Sequence, residues 1–184
     1  MEYALAIIMG YLLGSIPVSL LVARRHGVDL RRTGDGNPGA WNALEQLEPR
    51  RAAPAFLGDA AKALAAGLLG YALGGWWVAF AGVAAAMAGH ALPVFASFRG
   101  GKAVMAFVGG AFVLSPVAAL VCLVACAAVT AAASFKWGAR VAVLAFPVVQ
   151  LATGPVERVA ATGALMILIG VLFVARSRPA QVPA

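Results

Sequence analysis

The sequence predicts an all-α integral membrane protein: a compact bundle of about seven transmembrane helices, some short, in one polytopic domain over residues 1–184. Apolar residues make up 62% of the chain and charged residues 11%, and the mean hydropathy is +0.90. About a quarter of the residues in a soluble domain are charged, because polar groups must cover its surface. The composition therefore excludes a soluble enzyme domain, a disordered chain and a disulfide scaffold.

The first apolar segment, residues 3–23, is long enough to cross a bilayer at 1.5 Å per residue. It contains Gly10, Gly14 and Pro17, so we expect its second half to bend and to pack closely against a neighbour. No basic region precedes it, which favours a retained membrane helix over a cleaved signal peptide. Residues 24–52 are polar and rich in turn formers, which cannot lie against lipid.

The later apolar segments are separated by short turns. Gly74 and Gly75 predict a tight turn after the second segment. One apolar stretch is too long for a single span, and Ser115 and Pro116 are predicted to divide it into a short helix and a returning helix. The expected segments are residues 54–73, 76–95, 103–133 as two helices, 141–152 and 159–175, with polar turns at 134–140 and 153–155.

The basic residues predict the orientation of the bundle, because cytoplasmic loops carry an excess of lysine and arginine. With seven segments and the N-terminus outside, all but two of the 14 basic residues lie in cytoplasmic loops or in a cytoplasmic C-terminal tail. The two exceptions are Lys62, within a segment, and Arg158, on the outer side. We interpret the net charge of +7 as this topological signal, and we expect no nucleic-acid partner.

Three polar clusters are expected to meet at the cytoplasmic face, because charged groups inside apolar segments usually pair or line a cavity. They contain Arg31, Arg32, Asp35, Asn37 and Asn42; Asp59 and Lys62; and His90, Gly100, Gly101 and Lys102. The turn at residues 100–102 favours a phosphate site, since its N–H groups and the following helix N-terminus attract anions. The alternative is a glycine turn beside a lysine that anchors the helix.

Asp59 and Lys62 lie three residues apart, so the sequence predicts an ion pair that either only tethers the helix or also polarises a site. His90 by itself is more typical of a satisfied structural group. No nucleophile–base pair and no set of metal ligands stands at a recognisable spacing.

An ordered set of motifs runs through the first hundred residues. It comprises GSIP at residues 14–17, D-x-R-x-x-G at 29–34, GNPGAWN at 36–42, DAAK at 59–62 and GHALPVFASFRGGK at 89–102. In order and spacing this set resembles the bacterial acyl-phosphate-dependent glycerol-3-phosphate acyltransferases, the PlsY family. The resemblance implies a seven-helix enzyme of the bacterial cytoplasmic membrane. It would transfer an acyl chain from acyl-phosphate to the 1-hydroxyl of glycerol 3-phosphate, giving lysophosphatidic acid.

The resemblance also implies roles for individual residues and no metal or nucleotide cofactor. The residues expected to bind substrate are Asn37, Asn42, Gly100, Gly101, Lys102, Arg32 and Asp35. Those expected to organise the catalytic site are His90, Asp59 and Lys62. We expect a monomer that contacts membrane lipid.

The chain departs from the family pattern at several positions. Asp35 replaces the usual serine, Glu45 the usual arginine and Ala103 the last glycine of GGKG, and the tail lacks the usual His and Asn. Two of these changes add negative charge near the expected phosphate pocket. They leave open a non-catalytic membrane binding protein, or a transferase with a cationic or neutral acceptor. A transporter is disfavoured, because its polar residues should mark the bilayer midplane.

Overall fold

The computed structural model describes residues 1–176, and all the regular elements within that range are helices. A single 3-10 turn at Val94–Ala96 interrupts the connection between the fifth and sixth helices. The α-helices are α1 Glu2–Gly14, α2 Val18–Arg25, α3 Ala40–Gln46, α4 Pro49–Gly74, α5 Trp76–Ala91, α6 Val104–Leu114, α7 Pro116–Ala132, α8 Phe135–Thr153 and α9 Val156–Arg176.

The helices confirm the predicted all-α membrane bundle. Five helical stretches are long and apolar enough to span a membrane, and the first of them joins α1 and α2 as Glu2–Arg25. The two shorter apolar helices α6 and α7 bring the number of apolar segments to seven, and they meet at Ser115 as predicted. The orientation of the termini stays a prediction, and most of the tail lies outside the described residues.

Several predicted helix ends differ from the structure, and the two largest differences are at helix starts. Helix α4 begins at Pro49 rather than near residue 54, and α8 begins at Phe135, so it includes most of the expected polar turn at 134–140. Ring contacts with α3 and α4 explain the early start of α8. The ring of Phe135 stacks on Trp41 of α3 at 5.6 Å and meets the edge of Phe56 of α4 at 5.7 Å.

Small residues set the spacing of the central helices. A Cβ atom added at Gly14 of α1 would fall on the backbone of Ala86 of α5, and one at Gly109 of α6 would fall on Ala60 of α4. Such close approach is a common means of helix association in lipid, where small residues let two backbones pack together. The chain bends between α1 and α2, at Ser15 to Pro17, where the carbonyl of Ile16 accepts both the backbone N–H of Val18 and a side-chain hydrogen bond.

Candidate active site

The loop between α5 and α6, residues 92–103, folds back beneath the end of α5. The N–H of Gly100 donates to the carbonyl of Ala91, and the N–H of Gly101 donates to the carbonyl of His90, both at 3.1 Å. The prediction that these two amides bind a phosphate therefore conflicts with the structure, because both are already hydrogen bonded inside the protein. The first turn of α6, which follows directly, presents N–H groups that no intrahelical carbonyl can reach.

This α5–α6 loop contains strained backbone. Ser97, Phe98 and Ala103 have φ angles of 55°, 57° and 61°, in the left-handed region that residues other than glycine rarely adopt. Such conformations persist only where the surrounding structure determines them, and they are concentrated at functional sites.

Lys102, at the end of this loop, forms an ion pair with Asp35 that we call the outer pair. The Lys102 Nζ lies 3.1 Å from Asp35 Oδ2, and the backbone N–H of Asn37 donates to Asp35 Oδ1 at 3.0 Å. The carboxylate side chain is 37% exposed and the lysine side chain 13%. Lys102 and the backbone N–H of Asn37 therefore both contact the Asp35 carboxylate.

Asn42 has a structural role in the turn that carries Asp35. It is fully buried, and its Nδ2 atom donates to the carbonyls of Leu30, Thr33 and Asn37, each at 3.0 Å. This nitrogen is therefore committed to the backbone rather than turned toward a ligand. Gly34 must be a glycine here, because it has a φ of 58° and any Cβ would fall on Asn42 Oδ1.

Arg31, rather than the predicted Arg32, contacts the α5–α6 loop. Its guanidinium donates to the carbonyl of Ala96 at 2.6 Å and to that of Arg99 at 2.9 Å, whereas Arg32 is exposed. The backbone N–H of Arg31 donates to Asp29 Oδ1 at 3.1 Å, which closes a local Asx turn. The D-x-R pattern at residues 29–31 was the signal that could have identified it.

Glu45 lies on the exposed side of α3. Its Oε1 atom accepts a hydrogen bond from Trp41 Nε1 at 2.7 Å, while Arg51 pairs with Glu48 instead. The negative charge that faces Lys102 therefore comes from Asp35, and Glu45 is held by its own helix.

A second set of polar groups, which we call the inner cluster, consists of Ser19, Asp59, Lys62 and His90. The Lys62 Nζ lies 2.9 Å from Asp59 Oδ1 and donates to the carbonyl of Ile16 at 2.9 Å. The Ser19 hydroxyl donates to Asp59 Oδ2 at 2.5 Å, and His90 Nδ1 lies 3.5 Å from Asp59 Oδ1. All four side chains are buried, and the predicted pair is joined by the predicted histidine. No sequence signal distinguished Ser19.

The inner cluster lies directly behind the α5–α6 loop. A small cavity between them is lined by Ser19, Lys62, His90, Gly100 and Gly101 among others. A Cβ atom added at Gly101 would fall on His90 Nε2, so the imidazole packs against the loop backbone. A change at His90 is therefore transmitted to the loop that carries Lys102.

The last helix also reaches the α5–α6 loop. The Arg176 guanidinium donates to the carbonyls of Gly100, Gly101 and Ala91 at 2.5, 2.6 and 2.6 Å. The ring centroid of Phe173, one turn earlier, lies 4.6 Å from Lys102 Nζ. Sequence reasoning treated Arg176 only as a topological charge, because no pattern links the end of the chain to residues 100–102.

The arrangement is suited to anion binding beside lipid. It combines the Lys102 ammonium, the N-terminus of α6 and a partly exposed turn at one end of the apolar helices. Within residues 1–176, no group of three His, Cys, Asp or Glu side chains is placed to hold a metal ion.

The chain is similar to known proteins along most of its length. Residues 4–181 match the family model described as glycerol-3-phosphate acyltransferase. A glycerol-3-phosphate acyltransferase of Rubrobacter xylanophilus is 45% identical over 113 residues, which cover 61% of this chain and 57% of that protein. A Neisseria meningitidis relative is 46% identical over 123 residues, which cover 64% of this chain and 62% of that protein. One from Sinorhizobium medicae is 40% identical over 89% of this chain and 80% of its own length.

Two solved structures share the fold. The glycerol 3-phosphate form of PlsY (YgiH), an integral membrane glycerol 3-phosphate acyltransferase, gives a TM-score of 0.83 at 28% identity, covering 95% of this chain and 90% of that one. Its lysophosphatidic acid form gives a TM-score of 0.77. The ordered motifs, the helical bundle and these similarities agree, and the chain belongs to the glycerol-3-phosphate acyltransferase family.

Proposed function

We propose that this protein transfers an acyl chain from acyl-phosphate to the 1-hydroxyl of glycerol 3-phosphate and so makes lysophosphatidic acid. The reaction takes place at the cytoplasmic face of the bacterial inner membrane, and the protein works as a monomer. The relatives are named glycerol-3-phosphate acyltransferases, and structures of PlsY exist in a glycerol 3-phosphate form and a lysophosphatidic acid form, which supports the acceptor and the product of this reaction. The observation that carries the proposal for this chain is the Lys102 ammonium, held on a strained loop at the N-terminus of α6.

The reaction needs two phosphate groups to be held close together. The 1-hydroxyl oxygen attacks the acyl carbonyl carbon, the bond from that carbon to the phosphate oxygen breaks, and inorganic phosphate leaves with the hydroxyl proton. Fixed positive charge and oriented N–H groups stabilise the anionic oxygens in such a step, and positioning supplies much of the acceleration. We assign Lys102 and the first turn of α6 to phosphate binding.

We assign the inner cluster to positioning. His90 packs behind Gly101, and the carboxylate of Asp59 holds both His90 and Lys62. Because all of these side chains are buried, their effect on the substrates passes through the α5–α6 loop. Asn37, whose Oδ1 is buried with no hydrogen-bond partner within residues 1–176, is available for a polar contact at the outer pair.

One observation favours a second candidate. Asp35 already neutralises Lys102, and a carboxylate at that position suits a neutral or cationic acceptor better than a phosphate. A protein whose cation stays paired in this way would also fit a non-catalytic, lipid-binding member of the family.

A transferase assay separates these candidates. The purified chain in detergent is given a long-chain acyl-phosphate and either glycerol 3-phosphate or glycerol, and acylated product and released phosphate are both measured. We expect lysophosphatidic acid and an equal amount of phosphate from glycerol 3-phosphate. Product from glycerol alone would indicate the altered acceptor, and an acyl-phosphate that remains intact with both acceptors would indicate a non-catalytic protein.

A further inference from the structure

The α5–α6 loop is fixed by two arginines that belong to distant parts of the chain. Arg31 donates to the carbonyls of Ala96 and Arg99, and Arg176 donates to those of Ala91, Gly100 and Gly101. Between them lie the strained residues Ser97 and Phe98. A loop with unfavourable backbone angles needs such external contacts to keep one conformation.

Arg176 determines the orientation of the glycine peptide groups. Its guanidinium is planar and carries five N–H donors in a fixed fork, which suits several carbonyls at once. The carbonyls of Gly100 and Gly101 accept from Arg176, while their N–H groups donate to the carbonyls of Ala91 and His90, and Arg176 also donates to the Ala91 carbonyl. The N–H and carbonyl groups of both glycines are thus held immediately before Lys102.

The same end of α9 contacts the Lys102 side chain. Phe173 lies three residues before Arg176 and so on the same side of the helix, and its ring faces the ammonium. One helix end therefore holds the backbone before Lys102 through Arg176 and its charged group through Phe173. Thr162 and Leu165 are the buried residues of α9, and most of its other side chains are exposed, so the contact at Arg176 is one of the few that α9 makes with the site.

We propose that Arg176 is a positioning residue for the transfer reaction: with Phe173 it fixes residues 100–102, so that the Lys102 ammonium faces the substrate phosphate. The catalytic benefit rests on the proposed function, whereas the fixing of the loop does not. The structure thereby assigns the C-terminal helix a role in the site.

The first test measures the loop without using activity. Full-length protein in detergent is treated briefly with trypsin, and cleavage after Lys102 is compared with cleavage after Arg25, an exposed site at the end of α2. In R176A we expect cleavage after Lys102 to rise about tenfold relative to Arg25, because the loop opens locally. The control is R158A, which removes an arginine from the other end of α9, where the guanidinium lies over the ring of Trp76.

The second test measures catalysis. We expect R176A to lower kcat by about 10–100-fold, as a small displacement of a catalytic group can do, with a smaller change in KM. Added guanidinium ion should restore part of this kcat in R176A, and it should not do so in a variant that lacks the Lys102 charge. R176K keeps the charge without the fork, so it should stay impaired, and it replaces R176A if that variant does not fold.

Cleavage after Lys102 that is unchanged in R176A and R176K would overturn the proposal. An equal rise at Lys102 and Arg25 would also overturn it, since it would show general destabilisation. If the wild-type protein makes no lysophosphatidic acid, the proposed function fails, and the trypsin comparison alone still decides whether Arg176 fixes the loop.

Discussion

Two aspartate–lysine pairs lie at different depths of the same site, and they differ in almost every contact. The inner pair, Asp59 and Lys62, has side chains 1% and 5% exposed, and both groups have further partners in Ser19, His90 and the carbonyl of Ile16. The outer pair, Asp35 and Lys102, is partly exposed, and the ammonium has only the ring of Phe173 as a further described contact.

The difference indicates which pair a ligand can open. A buried ion pair keeps its geometry because each charge, once separated, would be left without solvent or partner. A partly exposed pair contributes little to stability, so a phosphate can replace the carboxylate with only a small loss of free energy. The inner pair is therefore suited to holding the site, and the outer pair to binding the substrate.

The largest effect should follow from removing one partner of the inner pair. Lys62→Ala leaves the Asp59 charge buried without a cation, and we expect the free energy of unfolding to fall by about 3–5 kcal/mol. Thermal or detergent-induced unfolding of the purified protein measures this. Leu57→Ala, at an exposed position of the same helix, is the control.

A double variant sharpens this result. Asp59→Leu with Lys62→Leu removes both charges, so most of the lost stability should return. If this folded protein also transfers acyl chains at the normal rate, the inner cluster only tethers helices and our assignment of a positioning role is wrong.

The outer pair should show the opposite pattern. Lys102→Met removes the charge and keeps the apolar stem, and we expect kcat/KM for glycerol 3-phosphate to fall by about 10²–10³-fold. The free energy of unfolding should change by about 1 kcal/mol or less, because the pair is partly exposed. Lys136→Met, at an exposed position on α8, is the control. A large loss of stability without a kinetic effect would place Lys102 among the tethering residues.

The contact between His90 of the inner cluster and the loop that carries Lys102 can be tested at Gly101. A methyl group there falls on His90 Nε2, so Gly101→Ala must displace either the imidazole or the loop. We expect about a tenfold loss of kcat with a small change in stability, since the inner ion pair itself stays intact. Gly163→Ala, within α9, meets open space in ordinary helical backbone, and it should leave kcat unchanged.

The helical bundle and the inner pair could both be predicted from the sequence. Hydropathy and the break at Ser115 and Pro116 follow from local physical chemistry, and the i, i+3 spacing of Asp59 and Lys62 places them on one helix face. The early start of α8 could not be predicted, because it depends on Phe135 meeting Trp41, which is 94 residues earlier.

The outer site was predicted less well, for the same reason. A glycine turn is open to two hydrogen-bonding patterns, and only the tertiary fold shows that the Gly100 and Gly101 amides point inward. Arg176 meets these glycines from 75 residues away, and no spacing rule connects them. Local patterns identify which residue types gather at the site, whereas the direction of each donor is a property of the packed structure.

The smallest expected effect concerns Asp35, whose carboxylate competes with a substrate phosphate for Lys102. Asp35→Ser removes the competing charge and keeps a side-chain oxygen for the Asn37 N–H, so we expect the KM for glycerol 3-phosphate to fall about fivefold, with little change in kcat. Adding Glu45→Arg should lower this KM further only if the new arginine side chain on α3 turns away from Trp41. Steady-state kinetics with varied glycerol 3-phosphate measure both variants.

Asp29→Ser is the matched control, because Asp29 also accepts a backbone N–H in this turn but does not pair with Lys102. A rise in KM for Asp35→Ser, with Asp29→Ser unchanged, would reverse the interpretation of the outer pair. Asp35 would then be a part of the site that orients Lys102. Acyl transfer to acceptors that lack a phosphate would then be the measurement to make. A fall in KM instead means that the pair is a closed form of the phosphate site, which the substrate opens when it displaces the carboxylate from Lys102.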